Sequence, residues 1–160
     1  MLNVKIIAVG SLKEEYLREA VAEYTKRLSS YCTLSIVELK EAKLPDNPSP
    51  AQVSAALEDE AKRILAAIPP RAAAVALAVE GKQLSSEELA EYIEGVSGQF
   101  GSLCLIIGSA NGLADSVKSA CALKLSFSKL TFPHQLVRVM LLEALYRSFN
   151  IIKGTKYHKA

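Results

Sequence analysis

Apolar positions along the chain alternate between short continuous runs and helical spacing. Asn3–Val9 is a β-rich run that ends at Gly10, after which Tyr16, Leu17, Ala20, Val21, Tyr24 and Leu28 recur at the period of a helix. Thr33–Leu39 reads as a second strand. Lys40–Pro50, with three prolines and an Asn, reads as a loop and a candidate for mobility. Val53, Leu57, Ile64, Leu65 and Ile68 mark another helix, which Pro69-Pro70 stops because proline cannot donate to the helical ladder. Ala72–Val79 is apolar throughout, as a strand covered on both faces is. Ser85-Ser86-Glu87-Glu88 opens a helix running to about Gly98, since a Ser side chain accepts from orphan amides and acids suit the positive end. Leu103–Ile107 is a further apolar strand, Ala114–Ala120 a short helix, Leu123–Phe127 a fifth strand and Phe132–Phe149 a final helix.

Strands alternating with helices predict one α/β domain over residues 1–160 with a mostly parallel sheet flanked by helices. The final helix is unusual. Leu136, Val139, Met140, Leu142, Leu145, Tyr146, Phe149 and Ile152 cover more than the single stripe a surface helix needs, which predicts burial on two sides. A central core helix satisfies that pattern, and so does a helix meeting its copy in a two-fold homodimer. Its place as the last element favours the dimer.

In open parallel sheets, ligands sit beyond the carboxyl ends of the strands. Three loops fall there: Leu77–Lys82, Gly108–Gly112 and Phe127–Phe132. Gly108-Ser109-Ala110-Asn111-Gly112 tolerates positive φ and close approach of backbone to a ligand, but it is neither GxGxxG nor a phosphate loop, and alone it reads as a strand-to-helix turn.

Charge changes the picture at one end. Residues 129–160 hold six Lys/Arg against Glu143 alone, a local charge of +5, which leaves −3 for the rest of a chain whose net charge is +2. A basic end on a mildly acidic body is the footprint of a polyanion site, although a solvated basic tail has the same composition. The stretch also concentrates chemistry-bearing residues: Thr131-Phe132-Pro133-His134-Gln135 and Arg138 at one end, Lys153-Gly154-Thr155-Lys156-Tyr157-His158-Lys159 at the other. Apolar runs far shorter than the roughly 20 residues of a membrane span, and an amino-terminal sequence without the layout of a signal peptide, predict a cytoplasmic protein with no membrane association. Cys32, Cys104 and Cys121 lie in apolar surroundings without metal-type spacing, so buried, reduced thiols and no metal site are expected.

These segments together carry a resemblance that spans the chain. Ile106-Ile107-Gly108-x-x-x-Gly112-Leu113 is followed by Leu125-Ser126-Phe127-Ser128-x-x-Thr131-Phe132-Pro133-His134-Gln135-Leu136-x-Arg138, then Leu141-Leu142-Glu143-x-x-Tyr146-Arg147, then Ile152-Lys153-Gly154-x-x-Tyr157-His158-Lys159. With Lys5-Ile6-x-Ala8-Val9-Gly10 and Glu80-Gly81-Lys82-x-x-Ser85, the sequence resembles the bacterial ribosomal RNA large-subunit methyltransferases of the SPOUT class. The resemblance implies S-adenosylmethionine-dependent methylation of N3 of pseudouridine 1915 in the 23S rRNA of the assembled ribosome. It implies a sheet whose part from about residue 100 on threads a trefoil knot, a homodimer, and an active site built across the dimer interface. By position it assigns the cofactor to Leu77, Gly108, Phe127, Ser128, Lys129, Leu130, Thr131 and Phe132. Three positions depart from the usual pattern: Ala78 stands where Asp is common, Ser109 where a second Gly is common, and Lys153 where Arg is frequent.

Methyl transfer to an imide nitrogen needs orientation, exclusion of water and an N3 that is losing its proton. Either His134 or His158 is a candidate for that proton, with Arg138 favouring developing negative charge and Tyr157 positioning the base by stacking or hydrogen bonding. Equally, His134 can serve only to cap the helix after Pro133 and shape the loop, and the Tyr157-His158 segment only to dock on a partner subunit. Arg147, Lys153, Lys156 and Lys159 are the candidate RNA contacts. Two rival readings share much of this sequence: a non-catalytic ribosome-binding factor, and a small-molecule enzyme on a flavodoxin-like sheet that has no use for Tyr157 and His158.

Overall fold

The computed structural model describes residues 1–159. Five strands, β1 (Leu2–Val9), β2 (Cys32–Leu39), β3 (Ala73–Gln83), β4 (Ser102–Ile107) and β5 (Leu123–Ser126), form one sheet in the order β2-β1-β4-β3-β5 with every neighbouring pair parallel. The helices are α1 (Glu15–Leu28), α2 (Pro50–Ala67), α3 (Ser86–Gln99), α4 (Asp115–Ala120) and α5 (His134–Lys153). The α/β architecture with a parallel sheet is therefore as the alternation predicted.

Strand alternation divides the core in two. Val4 and Ile6 of β1 with Leu103 and Leu105 of β4 pack towards α1, α3 and α5, while Ile7 and Val9 with Cys104 and Ile106 pack towards α2 and α4. Burial on both faces is why these strands read as continuous apolar runs. Cys32 and Cys104 are buried and Cys121 is half-buried, all as free thiols.

Three boundaries differ from the sequence reading by more than one residue. The strand expected at Ala72–Val79 runs on to Gln83, because the chain bulges after Leu77 and pairs again: Leu77 and Lys82 both face Leu125. Gly81 permits this, since a Cβ there would lie 2.7 Å from the Lys124 carbonyl. The final helix starts at His134, two residues later than expected, and continues to Lys153, where Gly154 at φ 72° ends it in the left-handed conformation. Two of the helices start as capping boxes: α3 through Ser85 and Glu88, where the sequence placed a Ser-capped start, and α2 through Ser49 and Gln52.

The broad apolar surface of α5 finds a partner within the chain. The helix lies between α1 and α3 on one face of the sheet, so Leu141, Leu142 and Leu145 are fully buried from both sides. Tyr146 meets Tyr24 of α1 edge to face at 6.3 Å, and Phe149 stacks on Tyr31 at 6.0 Å. Intrachain packing thus accounts for most of the pattern on which the sequence argument for a dimer rested. Leu136, at the start of the helix, stays 38% exposed.

Candidate functional site

A cavity of about 450 Å³ opens at the carboxyl ends of β3, β4 and β5. Its floor is Leu77, Ile107 and Leu125, one wall is the Gly108–Gly112 turn, and the other is the Phe127–Phe132 loop leading into α5. The turn is tight. Gly112 N–H donates to the Ser109 carbonyl at 2.9 Å, and a Cβ on Gly108 would collide with the Gly112 carbonyl, so glycine is required at 108. The facing loop is shaped by its own serines: Ser126 Oγ donates to the Ser128 carbonyl and Leu130 N–H donates to Ser128 Oγ, both at 3.0 Å. The backbone amides of Thr131 and Phe132 have no partner among the described residues and are available to a ligand. Lys118 and Glu80, joined at 2.5 Å, stand at the side of the cavity.

Seven of the eight positions assigned to the cofactor, Leu77, Gly108, Phe127, Ser128, Leu130, Thr131 and Phe132, line this one cavity; Lys129, exposed on the same loop, does not. His134 also lines it, in the first turn of α5. No side chain caps that helix end, so capping is not the task of His134.

One turn further along α5, Arg138 is 3% exposed. Its Nη1 donates to Glu38 at the end of β2 at 2.5 Å, its Nη2 donates to the Gly10 carbonyl at 3.2 Å, and its Nε is buried without a partner. Beside it lies a second, polar cleft lined by Gly10, Lys13, Glu38, Lys40, Glu41 and Gln135. His134 stands between the two hollows, its Nε2 3.8 Å from Glu41.

Tyr157 and His158 are elsewhere. After Gly154 the chain folds back on the far half of α5, where the Tyr157 hydroxyl donates to Glu143 at 2.8 Å and the Tyr157 ring stacks edge-on against Tyr146 at 4.8 Å. Both ring nitrogens of His158 are engaged, Nδ1 with Arg147 at 3.2 Å and Nε2 with Glu87 at 2.8 Å. Arg147 closes the group: it donates to Glu143 at 2.9 Å and lies over the Tyr157 ring at 4.8 Å. Burial pushes the Glu143 carboxyl up, but the hydroxyls of Tyr24 and Tyr157 and the Arg147 guanidinium outweigh it and hold the carboxyl below its ordinary value. Burial, then the Glu143 carboxylate, pushes the Tyr157 phenol up and the Tyr24 phenol up to about 12. Thirteen residues of helix separate His134 from Arg147, about 20 Å at 1.5 Å per residue. Within one chain the two halves of the predicted site therefore do not meet. Of the predicted RNA contacts, Lys153, Lys156 and Lys159 are exposed, whereas Arg147 is committed to Glu143 and His158.

The family model described as "Predicted SPOUT methyltransferase" matches residues 2–158. Proteins named ribosomal RNA large subunit methyltransferase H align over 99% of this chain and all of their own length: 50% identical in Clostridium beijerinckii and 46% identical in Bacillus pumilus. The chain belongs to this family of SPOUT methyltransferases. A probable methylase family protein from Haemophilus influenzae has the same fold, with a TM-score of 0.55 at 14% identity over the whole of this chain and 72% of that one. No helix among the described residues is long and apolar enough to cross a membrane, and no group of three or more His, Cys, Asp or Glu among them is placed to hold a metal ion.

Sequence reasoning missed Glu38, Glu41 and Glu60, which brace the site from outside it. Nothing in the sequence separates Glu60 from Glu58 and Asp59 on the same helix. Only the burial of its face, with Ala56 and Ile64, distinguishes it.

Proposed function

We propose that this protein transfers a methyl group from S-adenosylmethionine to N3 of pseudouridine 1915 in the 23S rRNA of the assembled ribosome. The observation that carries the reading is the cavity at the strand ends, lined by seven of the eight cofactor positions and rimmed by His134, in a chain whose full-length relatives bear the methyltransferase H name.

The residues present suit the cofactor. Leu77, Leu125, Phe127 and Phe132 offer apolar surface to an adenine ring, the free amides of Thr131 and Phe132 offer donors to its edge, and the Glu80–Lys118 pair offers both charges to a zwitterionic amino acid. When bound, S-adenosylmethionine supplies a sulfonium-activated methyl group. The chain's own part is to orient the acceptor base, exclude water and take up the N3 proton. His134, on the cavity rim, suits the last task, and Arg138, one helical turn on and paired with Glu38, steadies the start of the helix that carries it.

A homodimer completes the site in this reading. Tyr157 and His158 contact Glu143, Tyr146, Arg147 and Glu87, none of which lines the cavity of their own chain, so a two-fold arrangement that sets α5 beside its copy brings one protomer's Tyr157 and His158 to the other's rim. Lys153, Lys156 and Lys159, on the same segment, then face the RNA. The same reading includes the trefoil knot, formed by the part of the chain from about residue 100 on.

Transfer of labelled methyl to assembled ribosomes, isolated large subunits and naked RNA tests the proposal. Labelling of assembled ribosomes that disappears when the target carries uridine is expected. Ribosome binding with neither labelling nor cofactor binding would replace it with a non-catalytic ribosome-binding factor.

A further inference from the structure

Glu60 is the one carboxylate among the described residues that the fold buries, at 4% exposure, and the chemistry outlined above gives it no task. Both its oxygens are used. Oε1 accepts from Ser109 Oγ at 3.1 Å, on the turn that walls the cofactor cavity, and Oε2 accepts from the Ala42 amide at 2.9 Å, just past the end of β2. Holding Ala42 fixes its neighbour Glu41. Gly10 helps, because the Glu41 carboxylate occupies the space a side chain at position 10 would fill. Glu41 then stands 3.8 Å from His134 Nε2, beyond hydrogen-bond length but within ion-pair distance.

Resting on the methyl-transfer reading, we infer that Glu41 and His134 form a carboxylate–imidazole pair on the rim of the cofactor cavity, and that Glu60 is the residue that positions it. In the reaction the N3 proton of the acceptor imide would pass to Nδ1 of His134, the ring nitrogen that does not face Glu41, and N3 would keep the electron pair with which it bonds the methyl carbon, while the methyl–sulfur bond of the sulfonium would break with its pair left on sulfur as a neutral thioether. The Glu41 carboxylate stabilises the imidazolium that results. Other charges around His134 are spoken for or distant. Glu38 pairs with Arg138, Glu80 pairs with Lys118, and Lys13 and Lys40 line the polar cleft with Glu41 and are not among the residues that line the cofactor cavity. His158 has both nitrogens bound to Arg147 and Glu87, which leaves His134 as the imidazole with a free nitrogen at the cavity. Through Ser109, the same buried carboxylate ties the cofactor turn to the base, so both are set by one residue.

The test uses the full-length protein and two readouts. NMR titration of the two histidines, assigned with His134→Gln, gives the His134 pKa without substrate, and methyl transfer to ribosomes gives its pH profile. Glu41→Gln removes the stabilising charge, so the His134 pKa falls and the acidic limb of the profile moves to lower pH, with kcat down about tenfold and cofactor affinity by calorimetry unchanged. Glu60→Ala does the same to the rate, whereas Glu60→Gln, which still accepts from Ala42 and donates to Ser109, stays within about twofold of the parent; thermal unfolding identifies any variant that has failed to fold. A His134 pKa unmoved by Glu41→Gln overturns the pair, and a pKa that moves while the pH profile stays put overturns its role as base. Equal losses in Glu60→Ala and Glu60→Gln overturn the positioning role. Failure of the parent protein to label ribosomes is a different result: it removes the substrate reading, and with it the base role assigned here.

Discussion

Arg138, on the second turn of α5, holds Glu38, the residue before the last of β2, across 100 positions of sequence. The pair joins the edge of the sheet to the start of the helix that walls the cavity, and the second guanidinium nitrogen ties in the Gly10 carbonyl.

Arg138→Met should therefore lower stability by about 2 kcal/mol, below the figure for a fully buried pair because Glu38 is half in water. The denaturant midpoint measures this. Arg138→Lys, which reaches only one of the two acceptors, should recover part of the stability and little of the activity.

Gly108→Ala puts a methyl group against the Gly112 carbonyl, where neither backbone segment can yield without opening the turn. Cofactor affinity should fall at least about tenfold, with stability down by about 1–3 kcal/mol. Calorimetric titration with S-adenosylhomocysteine checks the first and thermal unfolding the second. Affinity equal to the parent's would mean that this turn is not a cofactor wall.

Docking of the Tyr157-His158 segment should fail at both extremes of pH. The hydrogen bond from His158 holds the Glu87 carboxyl below its ordinary value, and Glu143 is likewise held below it, so their contribution is present above about pH 4.5 and is lost as pH falls through their lower folded values. The raised phenols act in the opposite sense. Tyr24 and Tyr157 contribute fully below pH 10, and that contribution is lost as pH rises towards the folded value of about 12 for Tyr24. Amide exchange of residues 155–159 across pH should show a protected plateau between these limits, and Glu143→Gln should lower the plateau.

Lys153, Lys156 and Lys159 are exposed and unpaired among the described residues, so replacing all three with Gln should weaken ribosome binding and flatten its dependence on salt. Each phosphate contact removed should reduce the slope of log affinity against log salt by roughly 0.7–0.9. Arg147→Gln should behave differently, loosening the docked segment without the same change in slope, because its charge is already paired with Glu143.

How much of this was present in the sequence follows from the range of each interaction. Apolar runs, helical spacing and the Ser85 cap depend on neighbours a few residues away, so elements, fold class and the three loops that meet at the cavity could be read directly. The Thr131–Gln135 block and the Tyr157-His158-Lys159 segment pointed to the family and to seven residues that do converge on one cavity. The tertiary structure alone decided the rest. The bulge that carries β3 to Gln83 arises from re-pairing with β5, and the burial of α5 arises from its seat between α1 and α3; both depend on elements distant in sequence. The same is true of the distance between His134 and His158, of the cleft beside Arg138, and of Glu60, an ordinary acid in its helix until the fold closes Ser109 and Ala42 around it. A sequence states which groups are present. Which of them lose their water, and against what, is decided only when distant segments pack.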